Sequence, residues 1–154
     1  MAFDKILMAA NKCFKAPVHP FNLQCEGVKS YAEWQYEKGA DTIKFYLKKY
    51  TKDEMFKDKV IADIGCGAGG KTLYYATNDA KKVYGVEILG KYEKEANALA
   101  DKLGLADKFE FVCADAAKLP FEDNSIDTMI MNDAMEHVDE PENCLLYTSP
   151  SPRD

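Results

Sequence analysis

Four short apolar runs in this sequence each end in a side chain that can accept hydrogen bonds. Asp63 closes "KVIAD", Glu87 closes "KVYGVE", Asp115 closes "KFEFVCAD", and Asn132 with Asp133 closes "IDTMIMND". After the first run comes "DIGCGAGGKT", residues 63–72, where glycine recurs at 65, 67, 69 and 70. Carboxylates accept hydrogen bonds and attract positive charge, and glycines let a ligand approach the backbone closely. Together they suit a ligand rich in hydroxyls, amino groups or cationic centres. That chemistry requires the four run ends to share one edge.

The pattern around them supplies such an edge. Each run is short, carries β-branched residues and is bounded by glycine or polar turn residues, so each reads as a buried strand. Residues 70–78 read as a helix after the glycine loop. "KYEKEANALADKLG" reads as a second helix, with Tyr92, Ala96, Leu99 and Leu103 on one face and Gly104 past its end. "DEPEN" starts a third, with Asp139 as its cap and Pro141 in its first turn. Strands alternating with helices predict an α/β fold: a Rossmann-like, doubly wound parallel sheet with helices on both faces. Ligands in such sheets bind at the carboxyl ends of the strands. Upstream, Ser30 and Glu33 are spaced as a capping box, and Ile43, Tyr46, Leu47 and Tyr50 recur at helical spacing. Tyr31, Trp34 and Tyr36 on that helix either pack into the core or cover the site.

Composition narrows the partners. The net charge is −6 with both signs interspersed, unlike the basic stripe of a nucleic-acid backbone binder. No apolar run approaches the roughly 20 residues of a membrane span, and the start does not resemble a secretory signal. Five single cysteines and two histidines suggest neither a metal site nor a disulfide framework, so a cytoplasmic location is expected. Oligomeric state is not legible.

The glycine loop itself fits three patterns. Gly65, Gly70, Lys71 and Thr72 match a P-loop for nucleoside triphosphates, and Gly65, Gly67 and Gly70 match the dinucleotide fingerprint. Asp63, Gly65, Gly67 and Gly69 match the loop of enzymes that bind S-adenosylmethionine. Phosphates would face Asp63. At about 4 Å and an effective dielectric near 20, each like-charge pair costs on the order of 4 kcal/mol. Glu87 does sit where a dehydrogenase places its ribose-binding acid, so an NAD-dependent oxidoreductase is the runner-up, with a non-catalytic interaction module behind it. S-adenosylmethionine has no phosphate and offers an ammonium, a sulfonium, ribose hydroxyls and an adenine amino group. Its carboxylate would fall to the loop amides and the next helix N-terminus.

Residues 60–139 resemble class I S-adenosylmethionine-dependent methyltransferases, in the branch of ubiquinone and menaquinone C-methyltransferases. "VIADIGCGAGG", "VYGVEI" and "CADAAKLPFEDNSIDTMIMNDAMEHV" carry the resemblance. It implies that Asp63 positions the methionine ammonium and supports the loop, with Gly65, Cys66 and Gly67 lining the cofactor. It implies that Glu87 takes the ribose hydroxyls, Ile88 packs on adenine, and Asp115 and Ala116 read the adenine edge. Asn132 would contact the methionine portion, and His137 is a candidate base or a structural histidine. A small-molecule acceptor is expected, with a lipid quinone, a protein or an RNA left open. Blander roles stand beside these: Glu87 as solvated surface, Asp115 as a turn cap, Cys66 and Cys113 as packing residues.

The last eleven residues, 144–154, correspond residue for residue to a transposase adapter used in sequencing libraries. The expectation is that they are not native and that the gene product continues past Asn143. The expected organisation is an N-terminal helical lid or support over residues 1–58, a partial cofactor domain over 59–143, and this tail. A sheet incomplete at its C-terminal half is expected to bind cofactor weakly, to aggregate and to be inactive.

Overall fold

The computed structural model describes residues 30–132 and 134. Helix α1 (Tyr31–Ile43) starts at Ser30, whose hydroxyl accepts from the Glu33 amide at 3.2 Å. A short helix α2 (Lys52–Phe56) follows, closed by a reciprocal capping box between Thr51 and Glu54. Then come β1 (Val60–Ile64), α3 (Gly70–Ala76), β2 (Lys82–Glu87), α4 (Glu93–Leu103), β3 (Phe109–Cys113) and β4 (Thr128–Met131). All strand pairs are parallel and the order is β3-β2-β1-β4. This is the parallel α/β sheet expected from the strand–helix alternation. The order also reverses after β1, which puts the β1 end at the switch point where such sheets take ligands.

Side chains alternate across the sheet. Ile61, Val83, Phe109 and Ile130 face α1, α3 and α4 in one core. Ala62, Ile64 and Val86 face the other way and pack with Leu119, Phe121 and Ile126 from the loop before β4. Asp127 sets the β1–β4 register: its carboxylate accepts from the Val60 amide at 2.8 Å, and its own amide donates to Val60 O. The "DEPEN" helix lies outside the described residues.

Two expectations about the N-terminal segment change. The helix ends at Ile43, and Tyr46–Lys48 forms a separate 3-10 turn. Leu47 and Tyr50, taken as core positions from their spacing, are exposed, while Tyr46 turns inward to bond Asn132. The face that α1 buries is instead Ala32, Gln35, Gly39 and Ile43. This stripe is narrow because α1 packs backbone to backbone on α3: a Cβ on Gly70 would lie 1.9 Å from Ala32 O and 2.6 Å from the Tyr36 nitrogen. The helix is also held from the side, where Glu95 accepts from the Ala32 amide and Lys102 pairs with Glu33.

Gly70→Ala is therefore expected to push α1 away from α3 and to destabilise the chain by about 3 kcal/mol. Urea unfolding would show this as a lower midpoint; an unchanged midpoint would mean that α1 does not rest on the loop.

Candidate functional site

The turn from β1 into α3 is held by its own amides. Gly65, Gly67 and Gly69 adopt φ values of +73°, +58° and +75°, a region open to glycine. In that conformation the Gly65 and Cys66 amides both donate to Val86 O, at 2.8 and 3.1 Å. The Gly67 amide donates to Glu87 Oε2 at 3.0 Å and the Gly69 amide to Cys66 O at 3.1 Å. The Gly70 amide donates to Gln35 Oε1 at 3.3 Å. Five amides expected to face a ligand carboxylate thus have partners inside the protein. For three of them the reason is the parallel pairing of β1 and β2, which brings Val86 O and the Glu87 carboxylate under the turn.

The same geometry removes the P-loop reading. A phosphate cradle needs outward amides and a free hydroxyl for the metal. Thr72 is fully buried and donates its hydroxyl to Asp63 Oδ2 at 2.6 Å.

The strand-end residues divide by burial. Asp63 is 3% exposed. Desolvation pushes its carboxyl up to about 6, with the Thr72 hydrogen bond and Lys71 pulling the other way. Cys66 is buried too; desolvation first, then Asp63 and Glu87, push its thiol up, so it is a packing residue rather than a nucleophile. Its Sγ lies against the Cα of Gly85, where a Cβ would come within 3.0 Å. Glu87 is half-buried, with Oε2 taking the Gly67 amide and Oε1 taking the Leu89 amide at 3.0 Å. Two backbone donors fix this carboxylate and leave each oxygen a further acceptor site. Beside it, Ile88 is 64% exposed and Leu89 48%.

Asp115 is exposed and caps its own turn: Oδ1 accepts from the Ala117 amide at 2.9 Å. Ala116 packs half-buried against the second core. Asn132 accepts from Tyr46 Oη at 2.8 Å and donates to Tyr75 Oη at 3.2 Å, tying the β4 end to the helical layer. Asp133 and His137 lie outside the described residues.

Gln35 went unnoticed in the sequence. It is buried on α1, donates Nε2 to Cys66 O at 3.3 Å and accepts from the Gly70 amide, so one side chain spans the loop. The signal was a lone amide on a stripe of small residues. One turn away, Tyr31 stacks on Trp34 with centroids 5.8 Å apart and approaches Tyr92 at 6.2 Å. Tyr31 also borders Gly67, where a Cβ would sit 3.6 Å from its ring. Burial first, then Tyr92, Glu87 and Glu95, raise its phenol. Tyr36 turns away, edge-on to Tyr74.

Glycines held at positive φ, a carboxylate fixed beside exposed Ile88, and loop amides already paired within the protein disfavour a phosphorylated ligand. A family model described as "Methyltransferase domain" matches residues 62–147, more than half of the chain. This chain belongs to the methyltransferase-domain family. The cofactor that goes with that membership is S-adenosylmethionine. The domain is 36% identical over 87 residues to tocopherol O-methyltransferase of Arabidopsis thaliana, a span of 56% of this chain and 25% of that protein. It is 32% identical over 90 residues to norajmaline N-methyltransferase of Rauvolfia serpentina, covering 58% of this chain and 31% of that one. The chain thus spans about a quarter to a third of the length of these relatives. The fold matches a SAM-dependent methyltransferase from Aquifex aeolicus with a TM-score of 0.59 at 21% identity, over 77% of this chain and 65% of that chain.

Two outcomes test the loop of this methyltransferase domain. The folded state holds the Asp63 proton more tightly than the unfolded chain does. Ionisation of this group therefore withdraws stability as pH rises from its ordinary value of 3.8 to about 6. Asp63→Asn is expected to match the parent near pH 4 and to exceed it by on the order of 3 kcal/mol near pH 8. Equal stability at both pH values would mean that the carboxylate is not strained by burial. For Gln35→Leu, amide hydrogen exchange is expected to show the Gly70 amide losing protection while β1 and β2 keep theirs. Protection that persists at Gly70 would remove Gln35 from the loop's support.

Proposed function

We propose that this chain is the cofactor-binding part of an S-adenosylmethionine-dependent methyltransferase that methylates a small-molecule acceptor by in-line displacement. The observation that carries the reading is Glu87. Both of its oxygens are fixed by backbone amides from the glycine loop and from Leu89, with exposed Ile88 alongside. A carboxylate so fixed suits the two ribose hydroxyls of a nucleoside, and the adjoining Ile88 suits adenine.

The other roles follow from position. Gly65, Cys66 and Gly67 form the wall along the methionine portion, where side chains would obstruct it. Asp63 acts from behind that wall, bracing the loop through Thr72 and lending negative charge toward an ammonium. Asp115 has its second oxygen available for the adenine amino group, and the Ala116 amide lies next to it. Asn132 presents its remaining donor and acceptor capacity at the β4 end. Residues 1–58 contribute a wall or cover through α1, and residues 59–143 the cofactor domain.

When bound, S-adenosylmethionine supplies a methyl group on a sulfonium whose leaving group departs neutral. The protein's task is therefore alignment and exclusion of water. A general base matters only for an acceptor that must lose a proton, and His137 is the candidate. The relatives act on tocopherol and norajmaline, as their names state, which supports a small organic acceptor. Binding rather than turnover is the appropriate readout for a chain that spans a fraction of its relatives, and we propose that this chain alone is inactive.

Titration calorimetry with S-adenosylhomocysteine, NADH and Mg-ATP in parallel tests the reading. Saturable binding is expected for S-adenosylhomocysteine alone, weakened roughly 10- to 100-fold by Glu87→Gln, which sets an amide donor against a backbone donor. Saturable NADH binding, or a folded chain indifferent to S-adenosylhomocysteine, would overturn it.

A further inference from the structure

The chain is acidic overall, with net charge −6, yet residues 44–52, "KFYLKKYTK", hold four lysines and no acid. This stretch links α1 to α2 through the 3-10 turn Tyr46–Lys48. One of its four large apolar side chains, Tyr46, turns inward to Asn132. The other three are exposed: Phe45 at 73%, Tyr50 at 45% and Leu47 at 37%. Phe45 is the most exposed large apolar residue among the described residues. Two ammonium groups lie near two of these rings, with Lys48 Nζ 5.7 Å from the Phe45 ring centre and Lys49 Nζ 5.2 Å from the Tyr50 ring centre. Lys44 is paired with Asp41. Lys48 and Lys49 have no carboxylate partner among the described residues.

We propose that residues 44–52 are a docking surface for an anionic lipid membrane. Phe45, Leu47 and Tyr50 enter the headgroup zone, and Lys48 and Lys49 meet the lipid phosphates and carboxylates. Rings and a leucine left exposed by the fold gain from an apolar phase at a shallow depth. Lysine stems lie along that phase while their heads remain at the charged level. The inward Tyr46 anchors the turn, so the outward side chains are presented on a fixed base. A single-stranded nucleic acid also takes rings and lysines. Residues 44–52 contain no arginine, and Leu47 offers no face for stacking. Those features favour lipid. The inference is independent of the cofactor reading.

Co-sedimentation of the 154-residue chain with phosphatidylcholine vesicles, with and without about 30% phosphatidylserine, tests it. A spin without vesicles corrects for aggregation. Binding to the anionic vesicles is expected, at least tenfold stronger than to phosphatidylcholine alone and largely lost in about 0.5 M salt. Phe45→Ser with Tyr50→Ser, and separately Lys48→Glu with Lys49→Glu, are each expected to weaken it about tenfold. Both pairs are exposed, so their melting temperatures are expected to stay within about 2 °C of the parent. Lys81→Glu with Lys94→Glu makes the same charge change elsewhere and is expected to weaken binding far less than the Lys48 and Lys49 pair. No binding, equal binding to both vesicle types, or an equal effect of the two lysine pairs overturns the proposal. So does tighter binding to poly(U), which would assign the surface to nucleic acid. Self-association abolished by Phe45→Ser with Tyr50→Ser, without vesicle binding, would assign it to a second copy.

Discussion

The turn between β1 and α3 must run without side chains on two sides at once. On one side the backbone of α1 lies against Gly70, with no room for a methyl group. On the other, Gly67 donates its amide to Glu87 and keeps its left-handed φ. Everything that defines the site hangs from this squeeze. It holds α1 over the loop, joins the loop to the end of β2, and brings Gln35 between Cys66 and Gly70. Five of the amides here are engaged in contacts that close the loop.

Burial then gives the two nearest acids different work. Asp63 lies under the turn, where losing water makes its charge costly. A buried carboxylate kept at a strand end in spite of that cost is a known signature of functional sites. Glu87 is half-buried at the end of β2, where backbone donors fix both oxygens of its carboxylate. One acid braces and the other presents. The same division appears at the other strand ends, where Asn132 is taken up by two tyrosines while Asp115 stays exposed.

The parts legible in the sequence are those set by local pattern. β-branched runs and the strand–helix alternation gave four parallel strands, and the strand-end acids needed only the knowledge that parallel strands end on one edge. Gly104 marked the end of α4 because its left-handed conformation is a local requirement. The parts that were missed depend on contacts far apart in the chain. Helical spacing carried α1 through Tyr50, but spacing cannot tell a ring that packs from a ring that is displayed. Tyr46 leaves the helix to reach a residue 86 positions away. Gln35 is buried because α1 lies on the loop, a contact that its neighbours in sequence do not announce. The Thr51–Glu54 box was readable and simply overlooked, having no long apolar run behind it.

"DIGCGAGGKT" fits three motifs because a motif records where side chains are absent. It does not record which way the amides point. A P-loop and this loop can share their glycines and still present opposite surfaces, one offering donors and the other having spent them. What turns the amides inward here is the neighbouring strand: Val86 O accepts two of them and the Glu87 carboxylate a third. Glu87 thereby acts twice. By engaging the Gly67 amide it withdraws a donor that a phosphate would need, and its charge adds repulsion. By having both oxygens fixed, it keeps further acceptor capacity at the end of β2. The internal partners of these amides, Val86 O, Cys66 O, Gln35 and the Glu87 carboxylate, thus stand against a phosphate before any ligand arrives.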